Sequence, residues 1–157
     1  MNKKKLVLGI GNDILTDDGI GPRVVDDLKN RMPIPGVEYQ TTTLGGLDIL
    51  EFIEGYDLVV FIDAIITKDG IPGSLYEFTL GDFTETLHLS NLHDISFLSA
   101  IELGKHLEFR IPLNIRIFAI EIVEDRVFGE TFTPPLQMRY EAIINEIHNR
   151  LREIVVS

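Results

Sequence analysis

The uninterrupted apolar run Leu58-Val59-Val60-Phe61-Ile62 constrains this chain more than any other feature. It shows no alternation with polar residues, and it is short and rich in β-branched and aromatic side chains. Such a run reads as a strand covered on both faces, which calls for a largely parallel sheet between layers of helix. Other strand-like segments are Leu6 to Ile10, Val37 to Thr42, Ser74 to Phe78 and Ile115 to Ile122.

Helical spacing fills the intervals. Ile20, Val24, Val25, Leu28 and Met32 form an apolar stripe; Gly19, Gly21 and Pro22 stand near its start, and Pro33 and Pro35 end it. Proline is tolerated in a first helical turn because its missing N–H would be unpaired there anyway. Gly45-Gly46 makes a turn before a short helix, Leu47 to Ile53. Leu92, Ile95, Leu98 and Ile101 predict a helix from about Leu92 to Gly104. Thr133-Pro134 supplies a cap and a first-turn proline for a long final helix, whose stripe is Leu136, Tyr140, Ile143, Ile144, Ile147, Leu151 and Ile154. Alternating strands and helices with no repeat or linker predict a single α/β domain over residues 1–157.

Composition excludes several function classes. A formal net charge of -11 repels phosphate backbones and anionic membrane surfaces, and Lys3-Lys4-Lys5 reads as a solvated chain end. No apolar run approaches the roughly 20 residues of a spanning helix, and the run after Lys5 is too short for a secretory leader. The expected location is the cytoplasm, with neither a nucleic-acid nor a membrane partner. The absence of cysteine rules out disulfides, thiolate metal sites and a cysteine nucleophile.

In an open α/β sheet, ligands bind beyond the carboxyl ends of the strands. Three segments bring polar groups there: Gly9 to Gly21 after the first strand, Asp63-Ala64 after the strongest, and Ser90 to Asp94 at the entry to a helix. The first is not a dinucleotide fingerprint, because Ile14 stands where the third glycine belongs, and no Gly-Lys-Ser/Thr follows as in a P-loop. Asp17 and Asp18 have a plain alternative as helix N-terminal acids. Asp63 has a plain alternative as a hydrogen-bonding residue of the following turn, but a carboxylate directly after five apolar strand residues stands at the active edge of the sheet, which favours function. His93 is a lone histidine near a helix start, a position filled more often by structural residues than by ligands. His106 and His148 read as exposed helix residues. Together, Asp18, Asp63 and His93 would offer two carboxylates and one imidazole, a set suited to zinc or nickel with one coordination position open.

Val7-Leu8-Gly9-Ile10-Gly11-Asn12, followed by Ile14-Leu15-Thr16-Asp17-Asp18-Gly19-Ile20-Gly21-Pro22-Arg23-Val24, resembles the N-terminal signature of the hydrogenase maturation proteases. Gly46 to Leu50, Asp63-Ala64 and the His93 region follow in that family's order, so the resemblance spans Leu6 through Glu121. It implies a three-layer, doubly wound sandwich with a mostly parallel five-stranded sheet and helices on both faces. It also implies an endopeptidase that cleaves the C-terminal extension from a nickel hydrogenase large-subunit precursor after nickel insertion. The implied catalytic and metal-binding residues are Asp18, Asp63 and His93, with Gly11, Asn12, Gly45 and Gly46 in substrate-contacting loops. The nickel would be carried by the substrate, zinc or cadmium standing in for it in crystals, and the enzyme would act as a monomer.

Two departures stand out. The family's first acidic ligand is usually glutamate, one methylene longer than Asp18, which leaves Asp17 as a competitor. Thr41-Thr42-Thr43-Leu44 replaces the Asp-Gly-Gly-Thr of many relatives, which bears on the choice of precursor. Two other readings compete: a receiver-like signalling domain with Asp63 as phosphate acceptor, and a small-molecule-binding α/β module using the glycine loop. The receiver reading lacks an acidic pair at Gly11-Asn12 and a lysine near Ala119-Ile120-Glu121.

Overall fold

The computed structural model describes residues 3–43, 48–80 and 100–156. Five strands form one sheet: β1 (Lys5–Ile10), β2 (Val37–Thr42), β3 (Leu58–Ile65), β4 (Leu75–Thr79) and β5 (Asn114–Glu121). Their order is β2-β1-β3-β5-β4. All neighbours are parallel except β4, which runs antiparallel to β5. The helices are α1 (Ile20–Arg31), α2 (Ile49–Ile53) and the long C-terminal α3 (Pro134–Val156), with residues 100–106 also helical.

Strand periodicity sorts the core into two layers. Register pairs Val7 with Val60 and Ile62 with Phe118, so these side chains share a face. They pack against Val24, Val25 and Leu28 of α1 and the stripe Leu136 to Ile154 of α3. Leu6, Leu8, Val59, Phe61 and Ile117 point the other way, onto Ile49, Leu50 and Ile53 of α2 and onto Ile101. Both faces are therefore covered, as the unbroken apolar strand requires. Each fully buried side chain of this size, such as Phe61 or Phe118, contributes about 1.5–3 kcal/mol. Polar contacts join α1 to α3: Arg31 donates to both oxygens of Glu141 (3.1 and 2.7 Å), and the Tyr140 hydroxyl donates to Asp27. Burial, then that bond to Asp27, pushes the Tyr140 hydroxyl far above the ordinary phenol range, so it stays a donor.

Three expectations need correction. The strongest strand does not stop at Asp63; it continues through Ala64 and Ile65, because both are buried and β5 runs alongside as far as Glu121. The helix expected from about Leu92 to Gly104 runs on to residue 106, its part before residue 100 lying outside the described residues. A Cβ at Gly104 would stand 2.6 Å from Leu50 Cδ2, so this glycine serves close packing inside a helix and does not end one. His148 is half-buried, with its Nδ1 enclosed and lacking a hydrogen-bond partner, whereas His106 is exposed as expected.

Candidate active site

Because β1 lies between β2 and β3, the chain leaves β1 in one direction for β2 and crosses to the other side for β3. A crevice opens at such a reversal, beyond the carboxyl ends of the two central strands. The segment after β1 folds tightly into it. Gly11 has φ 151°, and a Cβ there would stand 2.1 Å from the Asp18 carbonyl oxygen, so no side chain fits. The Gly11 N–H donates to Thr42 O at the end of β2 (3.1 Å). The Asn12 side-chain oxygen accepts the Ile14 N–H (3.1 Å), which shapes the turn locally. A short 3-10 turn, Thr16–Gly19, then leads into α1.

Asp17 and Asp18 sit side by side in that turn, and both are buried. Neither caps a helix: α1 begins after Gly19 without a side-chain cap. Asp18 turns back towards β1, and its Oδ2 accepts the Asn12 N–H at 2.8 Å. Asp17, fully enclosed, turns away. Its carboxylate accepts hydrogen bonds from the N–H groups of Val123 (3.0 Å), Glu124 (3.1 Å) and Thr133 (2.8 Å) and from the Thr133 hydroxyl (2.7 Å). Of the two adjacent acids, Asp18 is the one that faces the end of β1.

Asp63 projects from β3 opposite Ala119 of β5 and is partly exposed; its Oδ1 accepts the Ala64 N–H at 2.8 Å. Close packing brings the Asp18 turn to this strand. A Cβ on Gly21 would lie 2.4 Å from Ile62 O and 2.6 Å from Ile10 O, so the first turn of α1 rests directly on the ends of β1 and β3. The glycines of the first segment thus serve backbone approach within the fold. Asp18 and Asp63 share one edge of the sheet. His93, Gly45 and Gly46 lie outside the described residues. Among the described residues, no three histidine, aspartate or glutamate side chains gather into a metal site.

Sequence reasoning passed over a third buried acid near this edge. Glu121, at the end of β5, accepts the Thr67 N–H (2.8 Å), the Thr67 hydroxyl and the Tyr76 hydroxyl (3.1 Å). It pins the loop that leaves β3. The available signal was the one used for Asp63, a carboxylate closing an apolar strand.

Fold and crevice define a small doubly wound α/β domain whose buried acids, and not a glycine phosphate cradle, occupy the ligand edge. The antiparallel β4 at the sheet border also separates it from the all-parallel 2-1-3-4-5 order of receiver-type domains. No family model matches the chain. It is 29% identical over 153 residues to the hydrogenase 2 maturation protease of Escherichia coli K12, covering 94% of this chain and 90% of that protein. Among solved structures, the hydrogenase maturating endopeptidase HybD from E. coli superimposes with a TM-score of 0.75 at 24% identity, covering 96% of this chain and 93% of that one. The [NiFe] hydrogenase maturation protease HybD from Thermococcus kodakarensis gives 0.73 at 21% identity, covering 94% and 98%. Over nearly its whole length the chain is similar in sequence to a hydrogenase maturation protease, and it shares the fold of the solved ones.

Proposed function

We propose that this protein is an endopeptidase that removes the C-terminal extension of a nickel hydrogenase large-subunit precursor once nickel has been inserted. What supports this reading is that Asp18, in the turn after β1, and Asp63, on β3, belong to the same edge of the sheet, in a chain similar over nearly its whole length to a hydrogenase maturation protease.

The nickel ion is treated as part of the substrate. The donor set fits it: two carboxylates at one edge, with His93 as the third ligand, suit a borderline divalent cation and leave a position open. The bond from the Asn12 N–H orients Asp18, and the bond from the Ala64 N–H orients Asp63. Both carboxylates are thereby set before the precursor arrives, which lowers the cost of ordering them on binding. An unloaded precursor lacks the cation that the two acids would grip, so it docks poorly and escapes cleavage. A bound nickel ion supplies Lewis acidity towards a carbonyl or a water.

In the cleavage step, the water oxygen adds to the scissile carbonyl carbon, the C–N bond breaks, and a proton reaches the departing amine. A crevice carboxylate is suited to accept the proton from the attacking water. Asp63, more exposed than Asp18, is assigned that role. The enzyme would work in the cytoplasm as a monomer that meets its precursor transiently. Among the described residues, no helix is long and apolar enough to cross a membrane.

The test is processing of the precursor by Asp18→Asn, Asp63→Asn and His93→Ala variants. Each is expected to lose about 100-fold or more in rate, the lower end of the range for removing one acid–base group. Native-like cleavage by Asp63→Asn removes the proposal. Labelling of Asp63 by acetyl phosphate would favour the signalling reading instead.

A further inference from the structure

We infer that Asp17 is a positioning residue, which holds Asp18 at the crevice by bracing the 3-10 turn against residues 123–133. This rests on the reading of Asp18 as a ligand of the substrate's cation.

The bracing is extensive. Asp17 has no exposed surface, and its two oxygens accept four hydrogen bonds, two of them from Thr133 immediately before α3. Three of these bonds converge on Oδ2 and one on Oδ1, so most of the roughly four acceptor sites of the carboxylate are used inside the fold. Its neighbours are tied to the same loop. The Asp17 N–H donates to Glu124 O (3.0 Å), the Thr16 N–H to Gly129 O (2.9 Å), and the Gly129 N–H to Ile14 O (2.9 Å). The Thr16 hydroxyl donates to Val127 O. Thr16 itself has φ 53°, a conformation that β-branched residues avoid and that persists only where surrounding bonds enforce it.

Every residue from Ile14 to Asp17 therefore takes its place from, or lies between residues bonded to, a loop more than 100 positions away. Asp18 follows directly, and its own bond to the Asn12 N–H needs the turn in this shape. In Asp17→Asn one of the two acceptor oxygens becomes an amide donor, which faces N–H or O–H groups that the carboxylate had accepted. The turn then has to rearrange to pair them again, and Asp18 moves with it.

The experiment compares Asp17→Asn, Thr133→Val and Thr133→Ser with the native chain. Three quantities are read: hydrogen exchange at the Asn12 amide, Ni²⁺ affinity by calorimetry, and kcat for precursor processing. The exchange rate reports Asp18 placement without any cation or substrate. Asp17→Asn is expected to speed Asn12 exchange and weaken Ni²⁺ binding by about 10-fold or more, the range for losing a group that orients a ligand. Exchange at the core Phe61 amide should stay native. Thr133→Val, which deletes only the hydroxyl donor, should shift the same readouts in part, and Thr133→Ser should restore them. If Asp17→Asn fails to fold, the Thr133 pair decides. Native Asn12 protection in Thr133→Val, or no restoration by Thr133→Ser, overturns the inference. If the native chain binds no Ni²⁺ but Asn12 still responds as described, the positioning role stands and the reading of Asp18 as a cation ligand in the free enzyme falls.

Discussion

Replacing Gly21 with alanine tests whether the crevice is built by close contact between α1 and the strand ends. The new Cβ would lie 2.4 Å from Ile62 O and 2.6 Å from Ile10 O, both main-chain atoms of the two central strands. To restore van der Waals contact, α1 has to withdraw by about 1 Å. Overpacking of this kind costs about 1–3 kcal/mol, and rigid strand carbonyls put Gly21→Ala at the upper end. Alanine returns about 1 kcal/mol in helix propensity. The net expectation is a loss of about 2 kcal/mol, with the melting temperature falling by roughly 4–8 °C for a chain of this size. Urea and thermal unfolding measure it directly. Asn30→Ala, at an exposed position of the same helix, is the control and should gain a few tenths of a kcal/mol, about 0.5. Because Asp18 lies three residues before Gly21, precursor processing should slow as well. A Gly21→Ala protein as stable as the native chain would mean that α1 has slack over the sheet, and the account of the crevice would fail.

Other perturbations follow from single groups. Glu121→Gln leaves one oxygen where two now serve Thr67 and Tyr76; it should cost about 1.5–3 kcal/mol, the range for hydrogen bonds to a charged group, and speed exchange at the Thr67 amide. His148 is held below its ordinary pKa, first by burial and then by nearby Arg152. The unfolded chain therefore takes up this proton first, and stability should decline as pH falls below about 6.5 towards the depressed folded value. His148→Gln should flatten that part of the pH profile relative to the native chain, and an unchanged slope would count against the burial account.

Much of the architecture was legible because periodicity and burial agree. The run Leu58 to Ile62 announced a sheet covered on both faces, and every member of the α3 stripe from Leu136 to Ile154 is buried, with Val155 added at its end. The direction of β4 was not legible, since a short half-buried strand carries no mark of parallel or antiparallel pairing. The end of β3 was misjudged because a charge reads as a stop, whereas Ala64 and Ile65 stay buried beside β5. Asp63 and Asp18 could be picked out as acids near strand ends. The division of labour between Asp17 and Asp18 could not. It depends on Thr133 and Val123 arriving from over 100 residues away, and residues 123–133 have no periodic pattern that would place them.

The central claim is that cleavage waits for the metal that the substrate brings. Native enzyme should be incubated with nickel-loaded and nickel-free large-subunit precursor, and each product weighed intact by mass spectrometry. The account predicts loss of a C-terminal peptide from the loaded precursor alone; equal trimming of both forms, or of neither, would contradict it.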